Sequence, residues 1–177
     1  MSTYGLGLRS APAPAAPIAE HLLIAQKLQA ESALKSGVSW FIWIAGLSVV
    51  NSISAYSGSH WGFAAGLGIT QLVDAIARQL GAAGLFLGMA INVMAVAFFV
   101  LLWVFGRKGQ KWPFIIGLVF YGLDSLLIVA IGLWFGLMIH AFGLIGMVRG
   151  LKASSELQQL AKAQQKAATI ATAPAIG

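Results

Sequence analysis

WPFIIGLVFYGLDSLLIVAIGLWFGLMIHAFGLIGMVRG, residues 112–150, decides the fold. It holds two apolar runs, each long enough, or nearly so, to cross a hydrocarbon core of about 30 Å. Gly132-Leu133 divides them, so the stretch reads as two membrane helices folded back on each other. Each half carries one residue foreign to lipid, Asp124 in the first and His140 in the second. Gly132 stands eight residues from each. An antiparallel hairpin therefore sets both at one depth, roughly 12 Å from the turn at about 1.5 Å per residue.

Composition extends this to the whole chain. Of 177 residues, 59% are hydrophobic and 9% charged, where a soluble domain carries about a quarter charged. Mean hydropathy is +0.84. This is the composition of an integral membrane protein, with room for about four spans and no second soluble domain. With no cysteine, disulfides, thiolate metal sites and cysteine nucleophiles are excluded. The net charge of +6 comes mainly from bases beside apolar runs, the mark of membrane orientation rather than of nucleic-acid binding.

Outward from the hairpin, Met1 to Pro17 is an Ala-Pro tail with no signal-peptide pattern. Ile18 to Lys35 has one apolar and one charged face, with Glu31 and Lys35 as an i,i+4 pair, and His21 reads as a surface residue. Ser36-Gly37 is expected to end that helix. A first span follows at 38–57, with Trp40, Trp43 and Tyr56 placed as an aromatic belt. Residues 57–61 form a turn, with His60 at the interface. Trp61 to Leu80 is an amphipathic helix. Its polar stripe of Gln71, Asp74 and Arg78 is expected on the outer face of the membrane, interfacial or partly re-entrant. A second span is expected at 82–106, a basic loop at 107–111, and the hairpin spans at 112–131 and 133–149. Residues 151–177 read as a cytoplasmic helix and tail.

Charge chooses the topology. With four spans, Lys27 and Lys35, then Arg107, Lys108 and Lys111, then Arg149, Lys152, Lys162 and Lys166 all share one side. A fifth span at 61–80 would split them. The expected fold is an all-α integral membrane protein, a four-helix transmembrane bundle with amphipathic interfacial helices at the N-terminus, the C-terminus and the outer face. Its units are a tail and cytoplasmic amphipathic helix over 1–37, a membrane domain over 38–150, and a C-terminal helix and tail over 151–177. Both termini are expected in the cytoplasm, in a bacterial inner membrane.

Asn51, Asn92, Asp124 and His140 then share the outer half of the bilayer, with Tyr121 one turn from Asp124. An Asp at such depth costs about 2.5–3.5 kcal/mol on insertion scales, so a hydrogen bond between Asp124 and His140 is expected, with Tyr121, Asn51 or Asn92 beside it. Two readings stay open: a polar knot fixing the packing of apolar helices, or a site for a proton, ion or small polar ligand. Gly132, Gly136, Gly143, Gly146 and Gly150 add a small-residue stripe running through His140. It fits close helix packing, and also a haem or chlorophyll ring ligated by His140. No HExxH, GxSxG or paired carboxylates point to an enzyme. The leading expectation is a non-catalytic accessory or scaffold subunit of a larger membrane complex. Its partners are the lipid bilayer and other membrane subunits, or further copies of the chain, and not nucleic acid. The alternatives are a small transporter, channel or proton-linked sensor using Asp124 and His140, and a haem- or chlorophyll-binding accessory subunit.

Overall fold

The structure, a computed structural model, describes residues 15–57 and 67–172. The Ala-Pro tail over 1–14, His60, residues 61–66 and the tail from 173 lie outside the described residues. The rest forms five helices: α1 (Ala15–Tyr56), α2 (Gly68–Gln79), α3 (Gly81–Gly106), α4 (Trp112–Ile131) and α5 (Trp134–Thr172). Four of them, all but α2, are long and apolar enough to cross a membrane. Their outer surface is apolar too. Phe86, Met94, Leu126 and Trp134 are each about two-thirds exposed or more, as lipid-facing side chains would be.

At about 1.5 Å per residue, the 20 residues of α4 match the hydrocarbon thickness, whereas the 42 of α1 and 39 of α5 are about twice as long. This corrects two boundaries. Ser36-Gly37 does not break α1, and the last helix does not stop at residue 149. The N- and C-terminal amphipathic segments are continuations of the first and last spans rather than separate helices. The physical reason lies between the two. A Cβ on Gly37 would strike the backbone of Gly150, and a Cβ on Gly150 would strike the Phe114 ring. These glycines are where α1 and α5 cross, and glycine within a helix costs only about 1 kcal/mol relative to alanine. Beyond the crossing, residues 20–29 of α1 and 161–170 of α5 are exposed throughout.

The core is aromatic. Phe41 of α1 is fully buried, with ring centroids 6.4 Å from Phe99 of α3 and 5.5 Å from Phe114 of α4. Gly117 lacks the Cβ that would collide with Phe41, and Gly146 the one that would collide with Trp40.

The hairpin turn behaves as its sequence implies. Gly132 has φ +79°, and the N–H of Leu133 reaches back to the Ile128 carbonyl at 3.2 Å while that of Gly132 bonds Val129 at 3.0 Å. This paired closure needs a left-handed residue, which glycine adopts without a Cβ penalty. Gly132 is exposed, and nothing approaches the site of its missing Cβ, so it serves the turn and not helix packing. Gly132→Val should therefore lower stability by about 1–2 kcal/mol through backbone strain alone. Thermal unfolding in detergent checks this; an unchanged midpoint would contradict it.

Residues 107–111 and the long ends of α1 and α5 lie at the same end of the bundle. The Gly109 carbonyl accepts from Ser154 Oγ at 2.6 Å and from Gln158 Nε2 at 2.9 Å.

Candidate functional site

α2 is the element that surface placement misjudges. Thr70 and Asp74 are buried at 0% and 1% exposure, whereas Ile69, Leu72, Ile76 and Leu80 on the opposite side are exposed. The stripe expected on the outer face, interfacial or partly re-entrant, is partly turned into the bundle: Asp74 is buried, Gln71 is half-buried, and Arg78 alone of the three is exposed. A helix with its apolar side outward belongs in lipid rather than on a wet surface. Its 12 residues span about 18 Å, half a bilayer. It ends at Gln79, just before α3 begins at Gly81, and starts in the interior beside Asp124.

That start defines the site. The residue before α2 is Leu67, which offers no capping side chain. In hydrocarbon the unpaired N–H groups of a helix start must find acceptors elsewhere. Asp124 of α4 supplies them. Its Oδ2 accepts the Gly68 N–H and its Oδ1 the Ile69 N–H, both at 2.8 Å. Ser48 of α1 accepts the Leu67 N–H at 3.2 Å, and its hydroxyl donates to the Ile44 carbonyl at 2.8 Å. A carboxylate at a helix N-terminus is also favoured by the helix dipole. Asp124 and the start of α2 thus offset each other's burial, at about 1.5–3 kcal/mol for each hydrogen bond to a charged group.

His140 completes the arrangement. Its Nε2 lies 2.9 Å from Asp124 Oδ2, and its Nδ1 lies 2.8 Å from the Gly136 carbonyl. A carbonyl only accepts, so Nδ1 carries a hydrogen. Nε2 and Oδ2 then hold one proton between them, as imidazolium and carboxylate or as imidazole and acid. In either form the pair is neutral as a unit, which suits its depth. Tyr121 stacks flat on the imidazole, with centroids 4.3 Å apart and planes 13° from parallel. Gly143 leaves room for the Tyr121 ring.

The Tyr121 hydroxyl is buried with no hydrogen-bond partner among the described residues. An unpaired buried hydroxyl is a penalty of about 1–3 kcal/mol. Tyr121→Phe should therefore leave stability unchanged or raise it by about 1 kcal/mol. A clear loss on denaturant titration would mean that the hydroxyl bonds something.

Asn92 is not part of this group. It donates from Nδ2 to Asp74 Oδ1 at 2.6 Å, joining α3 to α2. Arg78 Nε returns to the Asp74 carbonyl at 3.2 Å. Asn51 is buried on α1, without a hydrogen bond to Asp124, His140 or Asn92 among the described residues. The residues missed from sequence are those that meet Asp124 and its neighbourhood through backbone: Ser48, Leu67, Gly68 and Ile69. The available signal was an apolar helix start with no Ser, Thr, Asp or Asn before it, in the same chain as a buried carboxylate needing donors.

Haem or chlorophyll does not fit His140. Both ring nitrogens are engaged, Tyr121 covers one face, and the space beside Gly143, Gly146 and Gly150 is filled by Tyr121, Trp40 and Phe114. Among the described residues, no group of three His, Asp or Glu side chains could hold a metal ion.

No protein-family model, curated protein or solved structure matches the chain. Its class therefore rests on the fold. Four long apolar helices with an apolar outer surface are those of a helical membrane protein.

Proposed function

We propose that this chain is a non-catalytic membrane subunit, a scaffold within a larger membrane assembly, with both ends on the cytoplasmic side. One observation carries the proposal. Both carboxylate oxygens of Asp124 and both ring nitrogens of His140 are engaged by partners within the chain, and their exposures are 6% and 0%. Groups engaged in this way organise helices and have little left to offer a solute. The long ends of α1 and α5 are exposed throughout and hold apolar side chains, among them Leu22, Leu23 and Leu28, in reach of other subunits. The orientation follows from charge. Nine of the eleven Lys and Arg residues, all but Arg9 and Arg78, belong to the end that holds residues 107–111.

The test is the native mass of tagged protein after gentle detergent extraction from its own host, with each co-migrating chain identified and counted. An assembly of fixed composition and stoichiometry is expected. A lone monomer or homo-oligomer would overturn the proposal.

A proton-linked device is the second reading, favoured by the single proton shared between His140 Nε2 and Asp124 Oδ2 at the start of a half-length helix. It predicts proton flux into liposomes holding this chain alone. The scaffold proposal predicts none above that of empty liposomes.

A further inference from the structure

We propose that the cleft between α1, residues 107–109 and α5 binds the headgroup of an anionic phospholipid. The cleft is about 590 Å³ and brings together Lys27, Lys35, Arg107 and Lys108, with Glu31 as the acid among them. Four cations less one anion leave +3. Among the described residues, none of the four cations has a carboxylate within 4 Å. The Glu31–Lys35 pair expected from spacing is not formed.

Two further features make this a built site rather than a charged surface. The 107–109 backbone is pinned to α5 by the two bonds at the Gly109 carbonyl. The Arg107 guanidinium is held over the Trp103 ring at 4.6 Å, and the Lys108 ammonium lies 5.0 Å from the Phe105 ring. The cations are thereby positioned where the apolar spans end, at the level of a membrane interface.

The walls identify the occupant. Leu34, Val38 and Trp103 also line the cleft, with Leu34 and Val38 buried behind it and Trp103 half-buried near the C-terminal end of α3. A charged rim above an apolar wall matches a molecule with a phosphate head and hydrocarbon tails, whereas a soluble phosphate would use the rim alone. The neighbouring cleft of about 670 Å³ is less suited. Arg149 and Lys152 face Glu156 there, leaving +1 among glutamines and alanines.

Native mass spectrometry of the full chain, delipidated in neutral detergent, tests this. The probes are phosphatidylglycerol, phosphatidylcholine with the same acyl chains, and inorganic phosphate. The cleft variant combines Lys35→Gln, Arg107→Gln and Lys108→Gln. The control removes the same charge elsewhere with Lys152→Gln, Lys162→Gln and Lys166→Gln. All six are polar replacements of exposed or half-buried residues, and the preference of the unaltered chain for phosphatidylglycerol over phosphatidylcholine is a readout that needs no variant. At about fivefold per basic residue, the cleft variant should bind phosphatidylglycerol on the order of a hundredfold more weakly than the unaltered chain, and the control should retain its affinity. Equal binding of the two lipids, equal loss in both variants, or displacement of phosphatidylglycerol by an equal concentration of inorganic phosphate would each overturn the proposal. The last would assign the cleft to a soluble phosphate compound.

Discussion

Asp124→Ala should destabilise the bundle by about 3–5 kcal/mol, the usual loss when one partner of a buried charged pair is removed. The change leaves the Gly68 and Ile69 N–H groups without acceptors and the His140 Nε2 without its partner in an apolar interior. Reversible unfolding in mixed detergent measures it. Asp124→Asn is the more instructive variant. An amide has one accepting oxygen and one donating nitrogen, while the carboxylate faces an N–H on each side. Either amide orientation therefore sets NH2 against an N–H, at a loss of about 1–3 kcal/mol. The Asn variant should thus be measurably destabilised, in a transporter and a scaffold alike. Loss of function in it would not by itself identify a proton pathway. Unchanged stability in the Ala variant would remove the structural role of Asp124, and with it the observation on which the scaffold proposal rests.

Two Gly→Ala changes in the same helix should have opposite signs. A Cβ on Gly37 would meet the Gly150 backbone, with Gly146 O 2.9 Å away, and backbone does not yield as a side-chain tip does. Gly37→Ala should force α1 and α5 apart, at about 1–3 kcal/mol. Nothing lies within 4 Å of the position a Cβ would take on Gly46. Gly46→Ala should be neutral or stabilising by up to about 1 kcal/mol through helix propensity. Equal effects at the two sites would show that the crossing of α1 and α5 is looser than the structure has it.

The sequence made some of this legible and hid the rest for definable reasons. The shared depth of Asp124 and His140 follows from counting eight residues either side of Gly132, because a tight turn fixes the register of both helices. The four long apolar runs are equally plain. Gly37 was ambiguous because a glycine within a helical pattern serves equally as a terminator or as a contact, and its partner Gly150 lies at the far end of the chain. The orientation of α2 was hidden more deeply. Its polar and apolar faces alternate with helical period whichever side meets water, so periodicity cannot distinguish a surface helix from one turned outward to lipid. The environment decides, and here buried Asn92 meets Asp74 on the polar side while Asp124 and Ser48 hold the start of the helix in the interior.

The capping of α2 by Asp124 also sets an order of events in time. The ribosome makes α2 before α4, and the carboxylate that accepts the Gly68 N–H stands 56 residues downstream of it. Until that residue emerges, the first amides of α2 have no acceptor within the bilayer and must remain in contact with water or headgroups. The half-length helix is therefore expected to enter the membrane late, once α4 brings its anchor. A nascent chain stopped short of Asp124 should leave α2 open to water-soluble labelling reagents, whereas one that extends past His140 should bury it.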